Sequence, residues 1–268
     1  MRITIIQPAY HMGDIPDERI AEFLIEELRT AEGELIVLPE YSNAGGLSDI
    51  EAELNALSRA ELMLIEASKA AKKKRAYVAI NVLEERRGQI KNSTYLFDKD
   101  GRAAFIYNKQ HLPPSEIKLG VVAGEPDGKC ACTCVLDGIR FAFMTCYDVY
   151  FNEQIEYIAK FKPDIIIVPG YQRGERVDII DAQAKLLAFR TNSFVARSSY
   201  SMGTEEHGGS SMLVAPDGKI LKNMRAQVGS FTYDIDPTQK YMRPAGFGQG
   251  LVRGDDFITN GLCPEAFN

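Results

Sequence analysis

The chain has 268 residues, a formal charge of −6, 45% hydrophobic residues and 25% charged residues. A chain of this size buries a large core without disulfides or metals. Its negative balance argues against a nucleic-acid partner, and no apolar run approaches the length of a membrane span.

In chain order, residues 2–7 read as a short buried strand stopped by Pro8, rather than as a signal peptide. Residues 17–30 read as a helix with Ile20, Phe23, Leu24 and Leu28 at helical spacing. A short apolar strand follows at 34–38. A single long helix is expected over 51–74, with Leu54, Leu57, Leu62, Ile65 and Ala70 buried, and then a strand over 76–83. The basic run Lys72 to Arg75 ends that helix, where cations suit the helix dipole.

Two hairpins follow from their turn chemistry. Residues 93–97 and 103–107 flank Asp98-Lys99-Asp100-Gly101; residues 211–215 and those from 220 onward flank Pro216-Asp217-Gly218-Lys219. Between the hairpins, strands at 140–144, 164–168 and 194–199 alternate with helices at 152–161 and 177–190, and a last strand covers 228–234. Such alternation predicts a layered α/β fold with mixed sheets. The whole chain reads as a single domain, 1–268, with the glycine-rich 240–268 as a C-terminal arm packed on the body or on a second subunit.

Five cysteines is an odd count for a disulfide framework; reduced thiols and a cytoplasmic location are expected. Three of them form Cys130-Ala131-Cys132-Thr133-Cys134. No fourth ligand or CxxC spacing accompanies them, so they read as small thiols lining one face of a strand rather than as a metal site.

Three segments share one design. Apolar runs lead through Leu38-Pro39 into Glu40, through Tyr107-Asn108 into Lys109, and through Met144-Thr145 into Cys146. In α/β folds, sites collect at the C-terminal ends of strands. A carboxylate, an ammonium and a thiol gathered there form a set that needs no histidine, and the chain has only three. The lysine favours the thiolate by its charge, and the carboxylate takes and returns a proton. Taken singly, each also fits a structural part: a satisfied carboxylate, a solvated amine, an inert thiol.

The segments Leu38-Pro39-Glu40, Tyr107 to Leu112 (YNKQHL) and Thr145 to Glu153 (TCYDVYFNE) resemble the nitrilase, or carbon–nitrogen hydrolase, superfamily on its amidase-like branch. The resemblance extends to Gly208–Leu221 and to Tyr233–Asp236, and covers nearly the whole chain. It implies a four-layer α-β-β-α sandwich and a Glu40–Lys109–Cys146 triad. Glu116 matches the family's second glutamate, and the backbone N–H of Tyr147 would join Lys109 at the oxyanion. No metal or organic cofactor is implied, and a homodimer or larger homo-oligomer is. The implied activity is hydrolysis of a small linear amide or N-carbamoyl compound through a cysteine thioester, with release of ammonia.

Where many relatives carry arginine four residues after the cysteine, this chain has Tyr150, and Asn152 replaces a proline. A substrate carboxylate would then be gripped from elsewhere; Arg173 and Arg176 are the candidates, beside Tyr150 as a pocket residue. Asp148 reads as a turn or cap residue and His111 as structural. Alternatives are nitrile hydrolysis at the same site and a non-catalytic binding protein on the same scaffold. A further rival is serine chemistry at Gly208-Gly209-Ser210-Ser211, which is similar to the motif of amidase-signature enzymes.

Overall fold

The computed structural model of the protein describes residues 1–11, 14–47, 49–124 and 131–263. The first half of the chain supplies β1 (Arg2–Gln7), β2 (Leu35–Val37), β3 (Tyr77–Arg86), β4 (Gln89–Phe97) and β5 (Ala103–Asn108). The second half supplies β6 (Thr133–Leu136), β7 (Ile139–Phe143), β8 (Ile165–Pro169), β9 (Phe194–Ser198), β10 (Met212–Val214) and β11 (Ile220–Asn223). A further strand, β12 (Gly229–Asp234), returns to pair with β1, giving two six-stranded sheets ordered β12-β1-β2-β3-β4-β5 and β11-β10-β9-β8-β7-β6.

Each sheet repeats one plan. Three parallel strands (β1-β2-β3 and β7-β8-β9) are followed by two antiparallel ones, and a further antiparallel strand closes the other side. The parallel strands are covered on both faces, which is why they read as unbroken apolar runs. Their side chains divide by alternation. Ile3, Ile5, Leu35, Val37 and Ala79 enter the core between the sheets, with Phe141, Phe143, Ile165 and Ile167. Ile6, Ile36, Val78 and Ile80 point the other way, under helices α1 (Pro16–Thr30) and α3 (Ala60–Lys74). Helices α5 (Asn152–Ala159) and α6 (Val177–Thr191) cover the second sheet through Ile155, Ile158, Ile180 and Leu187. The result is the expected four-layer α-β-β-α sandwich.

The helix expected over 51–74 is broken. It is α2 (Ile50–Asn55), a 3-10 turn (Ala56–Arg59) and then α3. The turn resets the helical phase, so Leu54, Leu62 and Ile65 are exposed, while Leu57 and Ala70 are partly buried. The buried stripe of α3 is Ala60, Met63, Ala67 and Ala71, whose three alanines let the helix lie close to the sheet. Both expected hairpins form. Two more go unforeseen, at Arg87-Gly88 and Asp137-Gly138, where both residues of each turn have positive φ. That is the type I′ geometry, which follows the twist of the flanking strands.

The cysteine cluster divides: Cys132 is buried just before β6, Cys134 is half-buried within it, and Cys130 lies outside the described residues. The stretch from Lys240 holds a small hairpin, β13 (Met242–Pro244) with β14 (Leu251–Arg253), and a short helix, Gly254–Thr259. Asn192, which ends α6, ties this stretch down by bonding Tyr241 and Asp255. Among the described residues no helix is long and apolar enough to cross a membrane.

Candidate active site

Glu40 follows the apolar run that continues β2 through Leu38-Pro39. The turn is fixed on both sides. Asn81 Oδ1 accepts the N–H of Tyr41, which has φ +56°, at 2.8 Å. Tyr200 donates its hydroxyl to the carbonyls of Glu40 and Tyr41 at 2.8 and 3.0 Å. Lys109 extends β5, its N–H bonded to Asn92 O at 3.0 Å. Glu116 sits in the first turn of the short helix α4 (Pro114–Leu119), started by a proline at its first position.

Cys146 begins a 3-10 helix, Cys146–Tyr150, two residues past β7, and its φ is +47°. A cysteine in the left-handed region is strained, and the surroundings hold it there. Thr145 and Asp148 form a reciprocal capping box around it. Fully buried Asp148 also accepts from Tyr107 Oη at 2.6 Å and from the His111 N–H at 2.9 Å. Asp148 is thus the cap it was expected to be. His111 is structural as well, stacked on Phe151 at 3.8 Å and bonded to Gln154.

These residues meet. Lys109 Nζ donates to Glu40 Oε1 at 2.8 Å and to Glu116 Oε1 at 3.0 Å, and all three side chains are at most 5% exposed. Asn92 Nδ2 donates to the same two oxygens at 2.7 and 2.8 Å. Tyr41 Oη donates to Glu116 Oε1 at 2.5 Å. Asn92 is in turn held by Asn81, whose amide donates to Asn92 Oδ1 at 2.7 Å. Sequence reasoning missed Asn81, Asn92 and Tyr41. For Asn81 the available signal was an asparagine inside the apolar stretch of β3.

The cluster opens into a cavity of about 540 Å³ that also presents Cys146, Tyr147, Tyr150 and Arg173. Burial and the Glu40 carboxylate push the Cys146 thiol well above its ordinary value, and the opposing pull of Lys109 does not offset them. Lys109 favours the thiolate by its charge, as expected, but burial and Glu40 outweigh it, so the thiol proton is left for a base to take. Burial pulls the Lys109 ammonium down, but Glu40, Cys146 and Glu116 outweigh it and hold the group charged. Burial, together with repulsion from Glu40, raises Glu116 despite Lys109. Its Oε2 is buried without a hydrogen-bond partner among the described residues.

The remaining candidates divide. Tyr147 lines the cavity, and its N–H lies in the first turn of the 3-10 helix, where backbone donors lack helical acceptors. Tyr150 lines the cavity, donates to Glu175 and accepts from Gln172. Arg173 lines it too, with its guanidinium 5.3 and 5.0 Å from the ring centres of Tyr10 and Tyr171. Arg176 does not reach the cavity; it is exposed and pairs with Asp178 at the start of α6. Ser210 and Ser211 are buried away from the cavity, and the carbonyls of Gly209 and Ser210 accept from buried Arg197. That motif serves the packing of an arginine, not a serine nucleophile. Among the described residues no group of three His, Cys, Asp or Glu is arranged to hold a metal ion.

The family model for carbon–nitrogen hydrolases matches residues 18–239. A hydrolase encoded in the pqqF 5′ region of Pseudomonas protegens is 30% identical over 199 residues, which is 72% of this chain and 68% of that protein. The 2-oxoglutaramate amidase of Bacillus subtilis is 27% identical over 228 residues, 82% of this chain and 85% of that one. Among solved structures, an amidase from Nesterenkonia sp. AN1, bearing acrylamide added to its active-site cysteine, superposes with a TM-score of 0.73. It is 20% identical, and the match covers 88% of this chain and 93% of that one.

Proposed function

The chain belongs to the carbon–nitrogen hydrolase family, and from that premise we propose that it hydrolyses a small linear amide or N-carbamoyl compound through a thioester on Cys146. The reading rests on one observation: a cysteine in the left-handed conformation shares a cavity with a buried lysine fixed between two glutamates. Burying three charges is costly, and pure packing gives no reason to assemble them beside a thiol.

Glu40 takes the thiol proton as sulfur attacks the carbonyl carbon. The Lys109 ammonium and the Tyr147 N–H stabilise the oxyanion. The C–N bond breaks as Glu40 returns the proton to the departing nitrogen, leaving a thioester. Glu40 next deprotonates water, which attacks the thioester. The C–S bond breaks, sulfur regains a proton and the acid leaves. Glu116 holds Lys109 in place, assisted by Asn92 and Tyr41. Tyr150 and Arg173 contact the part of the substrate remote from the reacting carbon. The chemistry assigned here draws only on protein groups and water, and the protein acts as a homodimer or larger homo-oligomer in the cytoplasm.

The test is ammonia release from a panel of aliphatic amides, ω-amides of dicarboxylic acids, N-carbamoyl compounds and nitriles, with Cys146→Ala in parallel. Release that disappears in Cys146→Ala supports the thiol mechanism. Release that persists in the variant overturns it.

A further inference from the structure

Beyond the reacting cluster, the cavity carries an opposed pair of charges, neither in an ion pair among the described residues. Arg173 is half-buried, and its one side-chain hydrogen bond among the described residues runs from Nη1 to Tyr10 Oη at 2.5 Å. With the Tyr10 and Tyr171 rings beside it, the guanidinium is held in one orientation while most of its donors stay unused. It makes no ion pair with any described residue. Glu53, on α2, is likewise half-buried, lines the same cavity and has no side-chain hydrogen bond or ion pair among the described residues. The two feel each other's charge without touching.

The neighbouring carboxylates differ. Asp49 caps α2 by accepting the Ala52 N–H at 2.9 Å, and Glu175 accepts from the Tyr150 hydroxyl and the Arg176 N–H. Lys118, also on the lining, is exposed. Away from Glu40, Lys109 and Glu116, the lining therefore holds three carboxylates against two cations. A ligand that brings only a carboxylate satisfies Arg173 but enters a region of net negative charge. A ligand that brings an ammonium beside its carboxylate satisfies both unpartnered groups and adds no net charge.

We infer that Arg173 and Glu53 recognise the α-carboxylate and α-ammonium of an amino acid whose terminal carboxamide is presented to Cys146. This rests on the amidase reading above and narrows it. A 2-oxo acid ω-amide, the kind of substrate for which the Bacillus subtilis relative is named, would use Arg173 but leave Glu53 unpaired. A neutral aliphatic amide would use neither.

Binding to Cys146→Ala, measured by calorimetry, separates the cases without requiring turnover. The ligands are L-glutamine or L-asparagine, the 2-oxo acid amide of the same length, and a neutral amide such as butyramide. The expected result is at least tenfold tighter binding of the amino acid than of its 2-oxo analogue. Adding Glu53→Gln should bring the two within about twofold of each other. Equal or reversed preference with Glu53 intact overturns the inference, as does a preference that survives Glu53→Gln. Turnover by the wild-type enzyme tests the parent reading separately. If neutral amides are hydrolysed with no amino-acid preference in binding, only the inference fails. If the amino acid binds with the stated preference but no amide is cleaved, only the hydrolase reading fails.

Discussion

Glu40 and Glu116 each direct one oxygen at the same two donors, Lys109 Nζ and Asn92 Nδ2, over distances of 2.7 to 3.0 Å. Each carboxylate thus keeps a second oxygen outside that shared network. The Glu40 carboxylate raises the Cys146 thiol by its charge. Glu116 Oε2 remains buried and unpartnered. Burial is the first physical reason that the thiol resists ionisation although a lysine is nearby, and the Glu40 carboxylate adds to it.

Glu116→Gln should therefore separate stability from activity. Glu116 is raised in the folded protein, so its contribution favours folding most below the unfolded carboxylate value of about 4.3 and is lost as pH rises through the folded value. Glutamine does not ionise, and the variant should lose less stability than the wild type between pH 5 and pH 8, as read by Tm. Its kcat should fall by about 10² or more, because Lys109 loses one of its two fixing partners. A variant with full kcat would remove Glu116 from the positioning of Lys109.

Alkylation of Cys146 offers a direct reading of the thiol. Since it is raised well above its ordinary value, its reaction rate with iodoacetamide should keep climbing with pH through 9, without a plateau near the usual value of about 8.5. Exposed Cys263 is the internal comparison, followed by peptide mass mapping. Glu40→Gln removes the neighbouring carboxylate and should shift the Cys146 profile to lower pH. A plateau near pH 7 in the wild-type protein would mean that a resting thiolate forms after all.

Glu40, Lys109 and Cys146 were legible in the sequence because each ends an apolar run; the runs before Glu40 and Cys146 are buried, and that before Lys109 is the partly exposed edge strand β5. Glu116 was legible only through the family resemblance, as the glutamate that follows the lysine motif. Asn81 and Asn92 were not: Asn81, a lone polar residue in its strand, reads as the solvent-facing half of an alternation, and Asn92 is hidden in the polar run Lys91-Asn92-Ser93-Thr94. Here both faces are covered, so the polar residue had to find partners inside. The break in residues 51–74 was hidden for a similar reason. Leu54, Leu62 and Ile65 fit an amphipathic helix, yet the alanines of α3 face the sheet. No local propensity reveals which stripe will fit closest to the strands. Glu53 and Arg173 lie far apart in sequence, and only the fold brings them to one cavity.

Asn81→Leu should be among the more damaging substitutions outside the reacting groups. It removes the acceptor for the Tyr41 N–H and the donor to Asn92 Oδ1. Both partners are buried, and leaving each unsatisfied costs about 1–3 kcal/mol. A loss of about 3–5 kcal/mol in urea unfolding is expected, with activity reduced as well because Asn92 and the Glu40 turn lose their support. A loss below 1 kcal/mol would mean that the turn is held by Tyr200 alone.

Lys109→Met bears on the whole arrangement. Methionine keeps the length of the side chain but removes the charge, leaving Glu40 and Glu116 together in a dry site. Removing one partner of a buried ion pair typically costs about 3–5 kcal/mol. Here part of that cost is recoverable, because the carboxylates can take up a proton. Without the ammonium, the folded value of Glu116 should rise further above the unfolded value of about 4.3. A raised folded value means stability that is present at low pH and lost as pH increases. The Tm of Lys109→Met should thus lie closest to that of the wild type near pH 5 and fall away by pH 8. Hydrolysis should be abolished at both. A pH-independent deficit would instead assign the lysine's value to packing of its carbon chain, and retained hydrolysis would remove it from the oxyanion site.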